Sequence, residues 1–517
     1  MKLIHINRFD TVANDRYEGH SNEFTIAKHF DTLTYPTRLK PLRGMTADTA
    51  NTGIGNIIVA SDGLMYGVGD NGSGASKLWQ RSGYGASDGW QAIPNTGQTG
   101  GATPKYNLLV EYIDVGTNPA TDRTMFWAET GNIRRGNKLG GNSSANDALT
   151  FTNIGQGFVH PKDKILYIPY DNKIATYALS STLNTAQFTI PTQYTIPCLT
   201  NYGNYLAIPG YSLNGVGGGG SIVYLWGRDT SLTTADESIN WGQGQLKVLN
   251  NLNGVLIGIS RVSASPNGST QDSDSIQIKA YAGGTEPILI KELIANHIVG
   301  SSSSPSLTIN QNVNFIYKNR MYFSVNIVPN DGISDSYYGL WSVGKNKITG
   351  AYSVNMERIA TNDNSDTGVL AAAILGDFVS IAHTTVGTLT CTNNGVGTGK
   401  FNATSTYDSV INPGMVIGRV YGHDRLLNKQ LFTLALHYEP LQSGASVTLK
   451  YKTDNGSWTT VFTETTAGSV VTERTKDENG NAFTAGRNFQ FRIESTGGAE
   501  ITGLSYKYDI LSTSLTI

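Results

Sequence analysis

Residues 205–226 read YLAIPGYSLNGVGGGGSIVYLW, and the glycine run at their centre decides how the chain is understood. A phosphate-binding loop needs a strand before it, a helix after it, and a Lys-Ser/Thr pair closing the glycines. Here the glycines run into Ser221, Ile222, Val223, Tyr224, Leu225 and Trp226. These are strand formers, with no lysine to meet a phosphate and no N-cap followed by helical periodicity. The stretch therefore reads as a β-hairpin with an enlarged loop.

The same design recurs. Strand, turn and second strand appear in seven segments, near Tyr66, Trp127, Tyr167, Trp226, Ile257, Tyr322 and Phe378. Their spacing, roughly 40 to 65 residues, fits four-stranded propeller blades with loops of uneven length. The first strand of each segment is the more apolar, as a strand beside the central channel would be. A β-solenoid or a string of sandwiches is the rival arrangement, and irregular spacing counts against a solenoid. From about residue 426 the strands lengthen and alternate. In ASVTLKYKTDNGSW, Val447, Leu449 and Tyr451 point one way, while Thr448, Lys450 and Lys452 point the other. That is a sheet with one wet face. The expected fold is all-β: an irregular propeller of about seven blades over residues 46–425, a C-terminal β-sandwich over 426–517, and an extended N-terminal arm over 1–45.

Composition supports this reading. Of 517 residues, 15% are charged and the formal net charge is −2, which argues against a protein that neutralises nucleic-acid phosphates. The 59 glycines and 26 tyrosines suit turns joining strands. Two cysteines, Cys198 and Cys391, make no disulfide framework and read as separate buried thiols. The start, MKLIHINRFD, has too short an apolar stretch for a signal peptide, and the run from Val369 is too short to span a bilayer.

Within residues 1–45, Pro36 and Pro41 disfavour a helix. Phe24, Ile26, Phe30, Leu33 and Leu39 are too many apolar side chains to leave in water. A closed propeller has little free edge to take them. The segment is expected to be an assembly arm on a neighbouring subunit, with Arg38, Lys40 and Arg43 as partner-binding residues. A groove on its own chain is the other acceptor.

No constellation for catalysis emerges. The eight histidines show no metal-binding spacing, and no nucleophile elbow is present. DENGN from Asp477 lacks the Gly and Glu of a calcium loop and reads as a turn. SGYGASDGW, ending at Trp90, has the residue types of a sialidase box without its spacing. The expectation is no enzyme activity, no cofactor and no metal.

Two stretches, KHFDTLTYPTRLKPLRGM at residues 28–45 and FQFRIESTGGAEITGLSYKYDI at 489–510, together with the arm-propeller-sandwich layout, resemble virion structural proteins of tailed bacteriophages. The resemblance implies a virion component of the tail or its hub. It would be a homo-oligomer in a symmetric assembly, with other tail or portal-vertex proteins as partners and a host surface glycan as a further one. It carries over no functional residue. The alternative is a carbohydrate-binding adhesin that uses Trp79, Trp90 and Trp241, and a glycoside hydrolase comes third.

Overall fold

A computed structural model of the chain describes residues 1–9, 11–12, 23–35, 37–42, 46–47, 54–70, 76–81, 89–93, 104–113, 123–137, 145–178, 183–212, 219–229, 231, 234–263, 274–294, 306–328, 337–346, 349–358, 367–376, 378–385, 396–400, 414–418, 421, 427–454 and 456–511. The regular structure among these residues is β-strand. The chain divides into two compact units. One is built from Met45–Leu340 and Ile359–Phe401, the other from Met1–Gly44, Trp341–Arg358 and Asn402–Ile517.

The first unit is a propeller. Antiparallel four-stranded sheets follow one another as blade one (residues 54–92), two (104–148), three (158–189), four (200–243) and five (245–294). Blade six opens with the hairpin Ser306–Tyr317 and Arg320–Val328. Blade seven is Thr367–Leu375, Phe378–Thr385 and Val396–Lys400, and its outer strand is Thr46–Ala47 from the other end of the unit. The stretch that opened the argument is a hairpin of Tyr205–Tyr211 and Gly220–Trp226, in register from Leu206 opposite Trp226 to Tyr211 opposite Ser221.

Each sheet buries both faces against its neighbours, which is why the inner strands read as apolar runs. Met125 and Trp127 of blade two pack on Tyr66 and Val68 of blade one. Tyr112 and Phe126 of blade two pack on Ile168 and Ala175 of blade three. Tyr167 and Phe188 of blade three meet Ile208 and Trp226 of blade four. Val223 and Trp241 of blade four meet Leu246 and Leu256 of blade five. Val313 and Tyr322 of blade six pack on Val369 and Ile381 of blade seven, and Ala371 and Ala382 of blade seven pack on Ile54 and Met65 of blade one. Blade five joins blade six through Asn250, whose side-chain amide donates to Asn314 Oδ1 at 3.0 Å. The ring of seven is thereby closed. Cys198 is a free thiol in the interface between blades four and five, and burial pushes it up to about 12. Cys391 lies outside the described residues.

The second unit is a sandwich made by both ends of the chain. One sheet orders Lys2–Ile6, Ile501–Ile510, Lys429–Tyr438 and Val471–Arg474. The other orders Glu23–Lys28, Gly414–Gly418, Phe489–Thr496, Ser446–Thr453 and Thr459–Glu464. Tyr421 and Phe491 meet Tyr506 between them, with ring centroids 5.7 and 4.9 Å from it. Val447, Leu449 and Tyr451 are buried as their alternation requires. Lys450 instead reaches Glu494 at 3.0 Å, and Lys452 lies over the Trp458 ring. Asp477 accepts hydrogen bonds from the Asn479 and Asn481 backbone, so DENGN is a turn.

The described strands of residues 1–42 pair with their own chain. Lys2–Ile6 completes the edge of Ile501–Ile510, and Glu23–Lys28 pairs with Gly414–Gly418. Leu39 exchanges backbone hydrogen bonds with Ile501 at 2.8 and 3.1 Å. Phe24, Phe30, Leu33 and Leu39 are all buried. Unlike a closed propeller, a sandwich has edges that accept strands, and they make the own-chain acceptor named beside the neighbouring subunit. The boundaries shift accordingly. Gly414–Gly418 belongs to the sandwich, and so does Tyr352–Arg358, which meets Glu23–Lys28 in parallel at Met356 and Lys28.

The register yields a direct check by denaturant unfolding. Leu449→Ala should cost about 2–5 kcal/mol through the cavity it leaves. Lys450→Ala removes a part-exposed ion pair and should cost less than about 1 kcal/mol. Equal losses would place the wrong face inward.

Candidate functional site

Among the described residues of the propeller, polar side chains gather along the axis and at the end of blades four and five where their inner hairpins open. The axis is built from a repeated element. Ile54-Gly55-Asn56 in blade one and Ile154-Gly155-Gln156 just before blade three both put a glycine ahead of an amide. A Cβ on Gly55 would lie 2.4 Å from the Tyr106 ring, and one on Gly155 would lie 2.3 Å from the Pro197 carbonyl oxygen. The glycines let neighbouring backbones approach, and the amides then bond across the gap. Asn56 Nδ2 donates to Tyr106 O at 2.7 Å, and Gln156 Nε2 to Leu109 O at 2.7 Å.

Blade six closes the middle. Its inner strand bulges, the register passing from Asn310 opposite Ser324 to Asn314 opposite Phe323. The bulge frees Gln311 and Asn312 from the ladder. Gln311 Nε2 donates to Ile154 O at 3.3 Å, and Asn312 Nδ2 to Gly55 O at 3.1 Å. Blades six and three are not neighbours in a ring of seven, so the Gln311 bond crosses the centre. At this level amides bridge the axis.

The second place lies where the connections 212–219 and 263–274 join their strands. Lys247 sits at a bulge of the inner strand of blade five, with its Nζ 3.6 Å from the centre of the Tyr211 ring. Burial, and then the charge of Arg261, push its pKa down to about 7. Arg261 itself meets the fully buried Asp274 at 3.3 Å. Burial raises the pKa of Tyr211.

The opposite end of blades three and four holds a histidine cluster that looks catalytic but is fully engaged. Asp163 accepts from Arg228 Nε at 2.6 Å, from the Tyr167 hydroxyl at 3.0 Å and from the Ile165 backbone at 3.1 Å. Arg228 also meets His160 Nε2 at 2.9 Å and donates to Asn204 O. Burial, and then Arg228, hold the His160 pKa down, so the ring is neutral and fastens the inter-strand turns. Asp62 and Tyr66 repeat the Asp-Tyr half of this lock in blade one, at 2.9 Å.

The residues expected to bind a partner are placed differently. Arg38 and Lys40 both pair with Glu500 of their own unit, at 3.0 and 3.1 Å, and both lie over the Tyr35 ring. Arg43 lies outside the described residues. Trp90 and Trp241, expected to be exposed sugar platforms, are buried, and Trp79 packs against the core shared by blades seven and one. The missed groups left faint signals: a lone lysine in the apolar run QLKVLNNL, and three consecutive amides in INQNVN.

No family model and no curated protein matches the chain. Among solved structures, the β-propeller domain of Cps50 (Swd1) from Myceliophteria thermophila is similar at 10% identity and a TM-score of 0.39, covering 69% of this chain and 98% of that one. The Dos1 propeller is similar at 13% identity and a TM-score of 0.36, covering 72% and 82%. Neither likeness names a phage virion protein, and the virion reading is withdrawn. The layout behind it also fails, because residues 1–44 fold into their own chain's sandwich.

Two measurements check the site. Asn312→Ala leaves Gly55 O without its donor and should cost about 1–3 kcal/mol in unfolding free energy; a loss below about 0.5 kcal/mol would remove the bridge from the account. His160 resists protonation when folded, so the unfolded chain binds more protons below about pH 6.5. Its contribution is complete above that pH and is lost as pH falls through the depressed folded value. The melting temperature should therefore drop between pH 6.5 and 5, and His160→Gln should flatten the drop. Equal slopes would contradict the assignment.

Proposed function

We propose that this chain is a non-catalytic recognition propeller that holds a protein partner on one face. The observation that carries the reading is an asymmetry of the inner hairpins in the second half of the ring, from blade four onward. At one end, blades four, five and six turn tightly between their first two strands, at 203–204, 253–254 and 318–319. Left-handed backbone at Gly203, Asn253, Gly254, Lys318 and Asn319 makes these turns possible. At the other end, the second and third strands of blades four, five and seven are joined by residues 212–219, 263–274 and 386–395. Variable connections on a rigid scaffold are where binding surfaces are usually built.

The bridged axis supports binding by surface over reaction in a funnel. The bonds from Arg228 to Asp163 and His160 support a structural use of these residues. Burial of Trp90 and Trp241 takes away the sugar platforms that favoured an adhesin.

The test is comparative capture from the source cells. One variant replaces residues 213–218 and 264–273 by short Gly-Ser links. Its control replaces Lys318-Asn319 by Asn-Gly. The first should lose at least roughly tenfold in captured partner, as deletion of a binding surface implies, and the control should lose nothing. Equal capture by both, or turnover of a polysaccharide by the purified chain, would overturn the reading.

A further inference from the structure

We propose that Lys247, set between Tyr211 and Arg261, is the anchor for a carboxylate of the bound partner, an Asp or Glu side chain or a chain terminus. The inference rests on the recognition-face reading above and supplies its chemistry.

The argument starts from charge balance. Three elements converge on the spot: the end of Tyr205–Tyr211, the bulge in Gln245–Leu252, and the end of Val255–Val262. The charged groups they bring are Lys247 and Arg261, with Asp274 behind Arg261. Asp274 is wholly buried and serves Arg261. Among the described residues Lys247 has the Tyr211 ring face and no carboxylate. A partly buried ammonium beside a guanidinium is costly unless an anion joins it. A ring face at 3.6 Å offsets only part of that cost.

The shape also favours a carboxylate. The Lys247 bulge puts one side chain out of the pleat, at the end where the connections 212–219 and 263–274 meet their strands. A carboxylate arriving from outside would gain the Lys247 ammonium and the nearby Arg261 charge. Lysine is compact and strongly hydrated, so much of its charge is unused until water is displaced.

The anchor has a proton signature. In the free protein the burial and the neighbouring cation hold Lys247 near neutrality. A bound carboxylate favours the ammonium and raises its pKa. Binding therefore takes up protons near pH 7 to 8 and weakens as pH rises. If only the ammonium binds, affinity should fall by roughly twentyfold between pH 6.5 and 8.5.

The test uses the full chain and small carboxylates, so it does not depend on the protein partner. Lysines are reductively methylated with a ¹³C label, and Lys247→Arg assigns the signal lost. The Lys247 signal is followed by NMR against pH in chloride, in acetate and with an N-acetyl-Glu peptide amide, at one ionic strength. The expected result is a midpoint near 7 in chloride that moves up by at least half a unit in the two carboxylates, with other lysines unmoved. Lys247→Met should then lose the captured partner by tenfold or more while keeping the melting temperature. A midpoint above 9.5 in chloride, or no movement with either carboxylate, would overturn the anchor. Loss of capture in the connection variants alongside an unmoved Lys247 would keep the recognition face and reject its chemistry. A moved Lys247 with full capture by the connection variants would do the reverse.

Discussion

The pairing of Thr46–Ala47 with Val396–Lys400 is the contact on which the fold depends. A propeller exposes a row of unpaired backbone groups wherever its ring is left open. Here the strand that closes the last blade comes from the beginning of the ring's own sequence. Once the ring starts at residue 46 and returns at residue 400, whatever precedes and follows it must fold elsewhere. The two ends fold with each other. Leu39 and Ile501 share backbone hydrogen bonds, and Phe30 packs against the backbone of Gly414. One closure thus explains why an N-terminal segment rich in buried apolar residues sits in a sandwich otherwise made by the C-terminal part of the chain.

Closure also shapes the interior. Polar residues of the inner strands meet along the axis. The chain fills it with amides, which can donate to a neighbour's carbonyl without carrying a charge. Asn56 and Asn312 must turn their NH₂ groups toward the Tyr106 and Gly55 carbonyls. That leaves their Oδ1 atoms buried without a donor, a cost accepted for a rigid hub. With the hub bridged in this way, the proposed recognition surface falls at the ends of the blades.

Much of this was legible in the sequence. The hairpin over 205–226 and its recurrence identify a propeller, because apolar strands joined by glycine and asparagine turns have few other closed arrangements. The alternation around Leu449 identifies the sandwich face. Other features were not legible for definite reasons. The apolar side chains of 24–39 announce that they need a cover, but a single chain does not say which surface supplies it. Arg38 and Lys40 look free until Glu500, far away in sequence, is brought beside them. Trp90 and Trp241 lie in polar stretches and seem exposed, yet each is an inward residue of an outer strand. The Gln311 bridge depends on a bulge, and bulges shift register without a reliable local mark.

The claim that function resides on one face of the ring is tested most directly by site-specific photocrosslinking in the source cells. A benzophenone side chain is placed at Val216, in the connection of blade four, and in a second protein at Asn319, in the tight turn of blade six. The account predicts a discrete partner adduct from position 216 and none from position 319. An adduct from position 319 alone would place recognition on the opposite face and contradict it.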